Sequence, residues 1–157
     1  MRPVEPSRDG AAHACRVVPT SPTAPAQRRR ERPRGFGLPS SSCLEGTPSA
    51  ETVPALAPGP DEPVFRKRGY DGFAGTSLDG ALRARGVTSL VVTGTMTDIC
   101  VLATVIGALH REYRVSVVED GVATLWPEIQ RATLDLIGRA YGRVVTSKEI
   151  AAQISRW

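Results

Sequence analysis

The sequence predicts an α/β protein with a three-layer, Rossmann-like fold, in which helices cover a mainly parallel sheet. Strand and helix patterns alternate after Pro63, at the spacing of βαβ crossover units. The segment 87–93 is a continuous run of largely β-branched residues, which is typical of a strand covered on both faces. No internal repeat is visible, so a solenoid or propeller is not expected.

Each element of this pattern has a local signal. Thr76 and Asp79 have capping-box spacing at the start of a helix, and Gly86 ends that helix. Pro127 suits the first turn of a later helix, and Ser147 is the expected cap of the last one. We expect strands at 64–67, 87–93, 113–119 and 143–146, a turn at 120–121, and helices at 76–85, 98–111, 127–141 and 147–154.

The N-terminal segment differs in composition from the rest of the chain. Twelve of the 13 prolines lie in residues 1–63, and eight arginines against three acidic residues give residues 1–40 a charge of +5. The net charge of +4 therefore leaves the rest of the chain at −1. The low apolar content predicts a disordered Pro/Arg-rich tail over 1–42 and one domain over 43–157, whose N-terminal part is incomplete or disordered.

Several functional classes are disfavoured by the sequence. Few aromatic residues accompany the arginines of the tail, so nucleic-acid binding is not expected. No run of 18 apolar residues and no signal-peptide stretch is present, which favours a soluble, cytoplasmic protein without a membrane partner. The three cysteines lack metal-site spacing, and GTMTDIC lacks the glycines of a phosphate-binding loop. We therefore expect no metal and no other cofactor.

Cys100 is the residue in the clearest chemical setting. It follows a strand end at Gly94 and falls in the first turn of the next predicted helix. Ligands of open α/β sheets bind at the carboxyl ends of strands, and the N–H groups of a helix start favour a thiolate. Many buried cysteines, however, are simply small core residues. The position alone leaves both interpretations open.

Two separated motifs resemble those of a known family. GTMTDICV, at 94–101, is similar to the nucleophile loop of the isochorismatase-like cysteine hydrolases, which include ureidoacrylate amidohydrolases, N-carbamoylsarcosine amidases and nicotinamidases. KRGYDGFAGTSLDGALRARGV, at 67–87, is similar to the lysine segment of that family. The resemblance covers about residues 43–150, and the two motifs occur in the right order on the right predicted elements.

The resemblance implies roles for particular residues. Cys100 matches the nucleophile and Lys67 the catalytic lysine. The family has a non-proline cis peptide bond, which falls here at Thr95–Met96. The resemblance also implies that the N–H groups of Met96 and Cys100 stabilise the oxyanion.

The implied reaction is the hydrolysis of an amide or ureide C–N bond in a small molecule. It passes through a thioester acyl-enzyme and uses no cofactor. Tyr70 and Phe73 match residues that line the substrate pocket. A small-molecule substrate is therefore the expected partner, and a homo-oligomer is possible.

One member of the family's site has no counterpart in this sequence. The resemblance implies an Asp at the end of a first strand, and Asp9 has no strand pattern before it. The Asp/His/His metal site of nicotinamidases is not matched either, since the histidines are His13 and His110. The alternative function is therefore a catalytically impaired or inactive family member that retains a binding or oligomerisation role.

Overall fold

The computed structural model describes residues 16–19 and 48–154. In these residues the strands are β1 (Arg16–Pro19), β2 (Val64–Lys67), β3 (Ser89–Thr95), β4 (Arg114–Ala123) and β5 (Arg143–Val145). The α-helices are α1 (Leu78–Ala84), α2 (Leu102–Leu109), α3 (Pro127–Ala140) and α4 (Ser147–Ile154), and short 3-10 helices occur at Pro48–Ala50 and Pro54–Leu56. Strands and helices alternate from β2 onward, so the predicted α/β class is confirmed.

All described strand pairs are parallel. β1 pairs with β2, and β4 lies between β3 and β5. The chain passes through α2 between β3 and β4 and through α3 between β4 and β5, as parallel neighbours require. The predicted parallel sheet is confirmed, and its described strands form two hydrogen-bonded groups.

The core is built around β4. Val115 and Val117 of this strand are buried in one cluster with Val105 of α2 and Ile137 of α3. Each fully buried side chain of this size contributes about 1.5–3 kcal/mol relative to an exposed one. The central strand thus fixes the two helices, and with them the loops at the carboxyl ends of the strands.

β1 lies inside the segment that was predicted to be disordered. Its register runs from Arg16 opposite Val64 to Pro19 opposite Lys67. Strand pairing supplies these four residues with backbone hydrogen bonds that composition does not register, and the disordered tail over 1–42 stays a prediction. The other residues of 1–42 lie outside the described part of the chain.

β3 is more exposed than its sequence predicts. Leu90 and Val92 pack against the core, but Val91 is 52% exposed. The expectation of a strand buried on both faces is therefore wrong. The physical reason is that the core covers the face of β3 that carries Leu90 and Val92, whereas the opposite face, which carries Val91, is open.

β4 continues past the predicted turn at 120–121. Val92 pairs with Val117, but Gly94 pairs with Val122, so the register shifts along β4. The extra residues form a bulge, which lets a strand bend without ending. The Asp–Gly pair therefore lies within the strand rather than after it, and β4 reaches as far as the end of β3.

The last helix is capped one residue earlier than predicted. Thr146 and Glu149 form a capping box: the Thr146 N–H donates to Glu149 Oε2 at 2.7 Å, and the Glu149 N–H donates to Thr146 Oγ1 at 3.2 Å. Ser147, the expected cap, instead donates its N–H to Asp120 Oδ1 at 2.8 Å. Asp120 therefore ties the bulge of β4 to the start of α4.

Both carboxylates at this helix start make stability depend on pH. Hydrogen bonds from the hydroxyl and then the N–H of Ser147 lower the pKa of Asp120, and the N–H and then the hydroxyl of Thr146 lower that of Glu149. Groups with a lowered folded-state pKa stabilise the fold above their unfolded pKa of about 4. That stability is lost as pH falls through the lower folded-state values.

We therefore expect Asp120→Asn to reduce the acid sensitivity of folding. Its melting temperature should fall less between pH 6 and pH 3 than that of the unchanged protein, as followed by circular dichroism. Glu119→Gln is the matched control, because Glu119 is exposed and its side chain makes no hydrogen bond to a described residue. Parallel acid profiles for Asp120→Asn and the unchanged protein would contradict this account.

Candidate active site

Cys100 lies in a tight turn between β3 and α2. Thr97–Val101 form a π-helical turn, in which Met96 O accepts hydrogen bonds from the N–H of Ile99 at 3.2 Å and of Val101 at 3.0 Å. Such turns are rare in proteins, and those that do occur are frequently found at functional sites. Cys100 is half-buried and forms no disulfide, and the described residues contain no other cysteine. The predicted helix at 98–111 is thus a π turn followed by α2.

The backbone before this turn is unusual. The Thr95–Met96 peptide bond is cis, which is what the resemblance implies for this position. Thr95 ends β3, and Met96 has an extended backbone before the π turn begins. The end of the strand, the cis bond and the nucleophile candidate therefore lie within six residues of one another.

Lys67 ends β2 with its side chain almost entirely buried. It is 6% exposed, and its Nζ donates a hydrogen bond to Gly69 O at 2.8 Å. A buried ammonium group is costly unless it is hydrogen-bonded or paired, so this lysine is not an ordinary surface charge. Gly69 begins the loop that leads to α1.

A chain of hydrogen bonds joins this loop to the Cys100 turn. The Gly72 N–H donates to Thr104 Oγ1 at 2.9 Å, and the Thr104 hydroxyl donates to Cys100 O at 2.8 Å. Thr104 lies one helical turn after Cys100, so its hydroxyl can reach back to that carbonyl. The lysine motif and the cysteine motif, separated in sequence, are therefore held together by one hydroxyl group.

The same loop contacts α2 at a glycine. A Cβ atom on Gly107 would lie 2.5 Å from Oδ1 of Asp71 and 2.7 Å from its Oδ2. Asp71 is held there because its Oδ1 accepts the N–H of Phe73 at 2.8 Å. The absence of a side chain at Gly107 thus allows the loop to approach the helix that follows Cys100.

The two predicted pocket residues have different surroundings. Tyr70 is partly exposed on the loop, whereas Phe73 is buried in the core. The Phe73 ring stacks on Tyr113 with 5.8 Å between centroids, and the Arg111 guanidinium lies 4.8 Å from its centroid. Phe73 therefore anchors the loop from beneath, and Tyr70 is the aromatic residue at its surface.

Tyr113 also fixes the helix after the loop. Its hydroxyl donates to Asp79 Oδ1 at 2.7 Å, and Asp79 accepts a hydrogen bond from Arg83 Nε at 3.1 Å. Burial, followed by the hydrogen bond to Asp79, raises the pKa of Tyr113. The hydrogen bond from Tyr113 in turn lowers the pKa of Asp79. This contact holds α1 against the start of β4.

Three polar residues of the site were not singled out from the sequence. Thr104 makes the connection described above, and Asp98 Oδ1 accepts the hydroxyl of Thr124 at 2.5 Å. Thr97 is fully buried, and its Oγ1 has no partner among the described residues. The motif GTMTDIC contains Thr97 and Asp98, but its spacing does not reveal which atoms they contact.

The described residues contain neither a cluster of metal-ligand side chains nor a helix that could span a membrane. No group of three His, Cys, Asp or Glu side chains in this part of the chain could hold a metal ion. No helix within 48–154 is long and apolar enough to span a bilayer.

Fold and site together define a parallel α/β protein with a cysteine at a strand-to-helix turn and a buried lysine at the end of another strand. The isochorismatase domain model matches residues 8–149, which is most of the chain. This chain belongs to the isochorismatase family. The match begins upstream of residue 43, where the resemblance seen in the sequence begins.

Curated relatives and solved structures agree with this assignment. Ureidoacrylate amidohydrolase RutB of Rhizobium rhizogenes is 34% identical over 128 residues, 81% of this chain and 51% of that protein. N-carbamoylsarcosine amidase from Thermoplasma acidophilum superposes with a TM-score of 0.71 at 32% identity, covering 89% of this chain and 75% of that one. A cysteine hydrolase from Pseudomonas syringae gives 0.70 at 34% identity, covering 73% and 59%.

The chain is shorter than these relatives. It spans about half the length of the curated relatives it matches, 51% of one and 55% of another. The activity and substrates of those whole proteins are therefore transferred to this chain only as proposals.

Proposed function

We propose that this protein hydrolyses an amide or ureide C–N bond of a small molecule, with Cys100 as the nucleophile. The supporting observation is the hydrogen-bond chain from Gly72 through Thr104 to Cys100 O, because it holds the loop after Lys67 against the cysteine turn. The names of two relatives, an amidohydrolase of ureidoacrylate and an amidase of N-carbamoylsarcosine, support this substrate class.

The proposed reaction proceeds in two halves. The Cys100 thiol transfers its proton to a base, and the thiolate attacks the carbonyl carbon. The oxyanion is stabilised by N–H groups of the Met96–Cys100 turn and by the Lys67 ammonium. The C–N bond breaks as the leaving nitrogen takes a proton, and water then hydrolyses the thioester to release an acid. No metal or other cofactor takes part.

Tyr70 is the proposed substrate contact at the surface of the loop. Its partly exposed ring can lie against the apolar part of a small substrate. Phe73, buried beneath it, is proposed to shape the pocket indirectly by fixing the loop. Free thiols are kept reduced in the cytosol, and we therefore propose a cytoplasmic location.

A second candidate is an impaired family member that binds a ligand without turning it over. In the family, the base that accepts the thiol proton is the Asp at the end of the first strand. The resemblance supplies no match for this Asp in residues 1–42. β2 and β3, which lead to Lys67 and to the cysteine turn, also belong to separate hydrogen-bonded groups. Among the described strands no ladder of hydrogen bonds joins the strand of Lys67 to the strand before Cys100, and this observation favours the second candidate.

The test combines a substrate panel with cysteine alkylation. Purified protein is assayed for release of ammonia or amine from small amides and ureides, and iodoacetamide-labelled peptides are identified by mass spectrometry. We expect turnover of at least one ureide, faster labelling of Cys100 than of Cys15 or Cys43, and protection of Cys100 by that substrate. Saturable binding without turnover supports the second candidate. The hydrolase proposal is refuted if the protein turns over no member of the panel and Cys100 is not labelled selectively.

A further inference from the structure

The surface of α3 and of the two residues before it carries a row of exposed apolar side chains. Leu125, Trp126, Ile129 and Leu136 are 39–67% exposed, and Ala132 between them is exposed as well. We call these five residues the α3 stripe. Their spacing of three or four residues places Ile129, Ala132 and Leu136 on one side of the helix.

The α3 stripe is distinct from the side of the helix that packs on the domain. Thr133 and Ile137 are buried, and they define the inner side. A helix that covers one face of a domain normally has polar residues on its other faces. Clustered, exposed aromatic and branched side chains are typical of an interaction site, whereas apolar residues exposed singly need no such explanation.

Four charged residues run along one flank of the α3 stripe. Glu128, Arg131, Asp135 and Arg139 are all exposed, and their signs alternate along the helix. Their spacing of three and four residues puts them on one face, next to the stripe. In the described part of the chain none of the four makes an ion pair, so their charges are available to a partner.

This pattern is complementary to itself when the helix direction is reversed. A two-fold axis across α3 near Thr133 brings Glu128 of one copy opposite Arg139 of the other. The same axis brings Arg131 opposite Asp135 and Ile129 opposite Leu136 of the second copy. The midpoints of the three pairs all fall within one residue of Thr133.

We propose that the α3 stripe binds a second copy of this chain, with the two α3 helices antiparallel about a two-fold axis near Thr133. In an antiparallel symmetric pair, the charged flank of one helix faces the same flank of the other. In a parallel symmetric pair, the charged flank of one helix faces the other flank of its partner. In α3 that other flank borders the buried side of the helix, where Thr133 and Ile137 pack on the domain. The charge pattern therefore selects the antiparallel arrangement, and the stripe supplies the apolar contact at its centre.

Sedimentation velocity of the full chain across concentrations tests the proposal. We expect a dimer for the unchanged protein and a dissociation constant at least roughly a hundredfold higher for Ile129→Asp. Val53→Asp is the control, because Val53 is an exposed apolar residue outside the α3 stripe, and its dimer should persist. Circular dichroism verifies that both variants are folded. A chain that stays monomeric at about 100 μM, or a dimer unaffected by Ile129→Asp, overturns the proposal.

Charge reversal tests the arrangement itself. Glu128→Arg and Arg139→Glu should each weaken the dimer, because each places like charges opposite one another at two symmetric positions. An equimolar mixture of these two variants should form a heterodimer, since every Arg then faces a Glu. The double variant should likewise dimerise as the unchanged protein does. A mixture that remains monomeric while the unchanged protein dimerises overturns the antiparallel register.

Discussion

Cys100→Ser is expected to lower turnover by roughly 10³-fold or more while leaving the fold intact. Serine is close to cysteine in size, and Cys100 is half-buried rather than enclosed in the core, so packing should change little. A hydroxyl in the same turn remains protonated at neutral pH, and the attack therefore loses its anionic nucleophile. The measurement is the initial rate on the fastest substrate of the amide and ureide panel, at saturating concentration.

The matched controls are the other two cysteines. Cys15→Ser and Cys43→Ser should retain the rate of the unchanged protein, since the proposal gives neither residue a role. Melting curves of the three variants should coincide, which separates lost chemistry from lost structure. A Cys100→Ser protein that keeps a third or more of the rate would show that the sulfur is not the nucleophile.

Gly142→Ala is expected to destabilise the protein by about 1–3 kcal/mol. A Cβ at Gly142 would lie 2.7 Å from Val115 O, a backbone atom of the central strand that cannot turn aside. Either β4 or the end of α3 must move, and both pack against the core around Val117 and Ile137. Urea unfolding followed by circular dichroism gives the free energy of unfolding directly.

Gly138→Ala is the opposite case at a neighbouring glycine. A Cβ there would meet Val144 Cγ2 at 3.6 Å, an ordinary contact, and Gly138 lies within α3. Replacing a helical glycine by alanine should raise the free energy of unfolding by roughly 0.5–1 kcal/mol. Effects of the same sign in Gly138→Ala and Gly142→Ala would contradict the view that the approach of Gly142 to Val115 constrains the fold.

Much of the fold follows from local patterns in the sequence. The alternation of β-branched runs and amphipathic segments predicts parallel βαβ units, because each period fixes which side of an element is buried. Pro127 starts α3, and the segment 64–67 forms β2, both as expected. For the site, two motifs direct attention to Cys100 and Lys67 before any coordinates are considered.

The features that sequence patterns did not predict depend on contacts between distant residues. The exposure of Val91 depends on what packs over its face of β3, and the run of β-branched residues does not contain that information. Thr104 acquires its role from Gly72, 32 residues away, and resembles any other helical threonine in the sequence. Tyr70 and Phe73 belong to one motif, yet one side chain is at the surface and the other is in the core.

The bulge in β4 limits which insertions and deletions the chain can tolerate. Between the pair Val92–Val117 and the pair Gly94–Val122, five steps of β4 match two steps of β3. Removing one residue there would turn every later side chain of the strand to the opposite face. The Thr124 hydroxyl would then point away from Asp98, and the cysteine turn would lose a tether without any change in its own sequence.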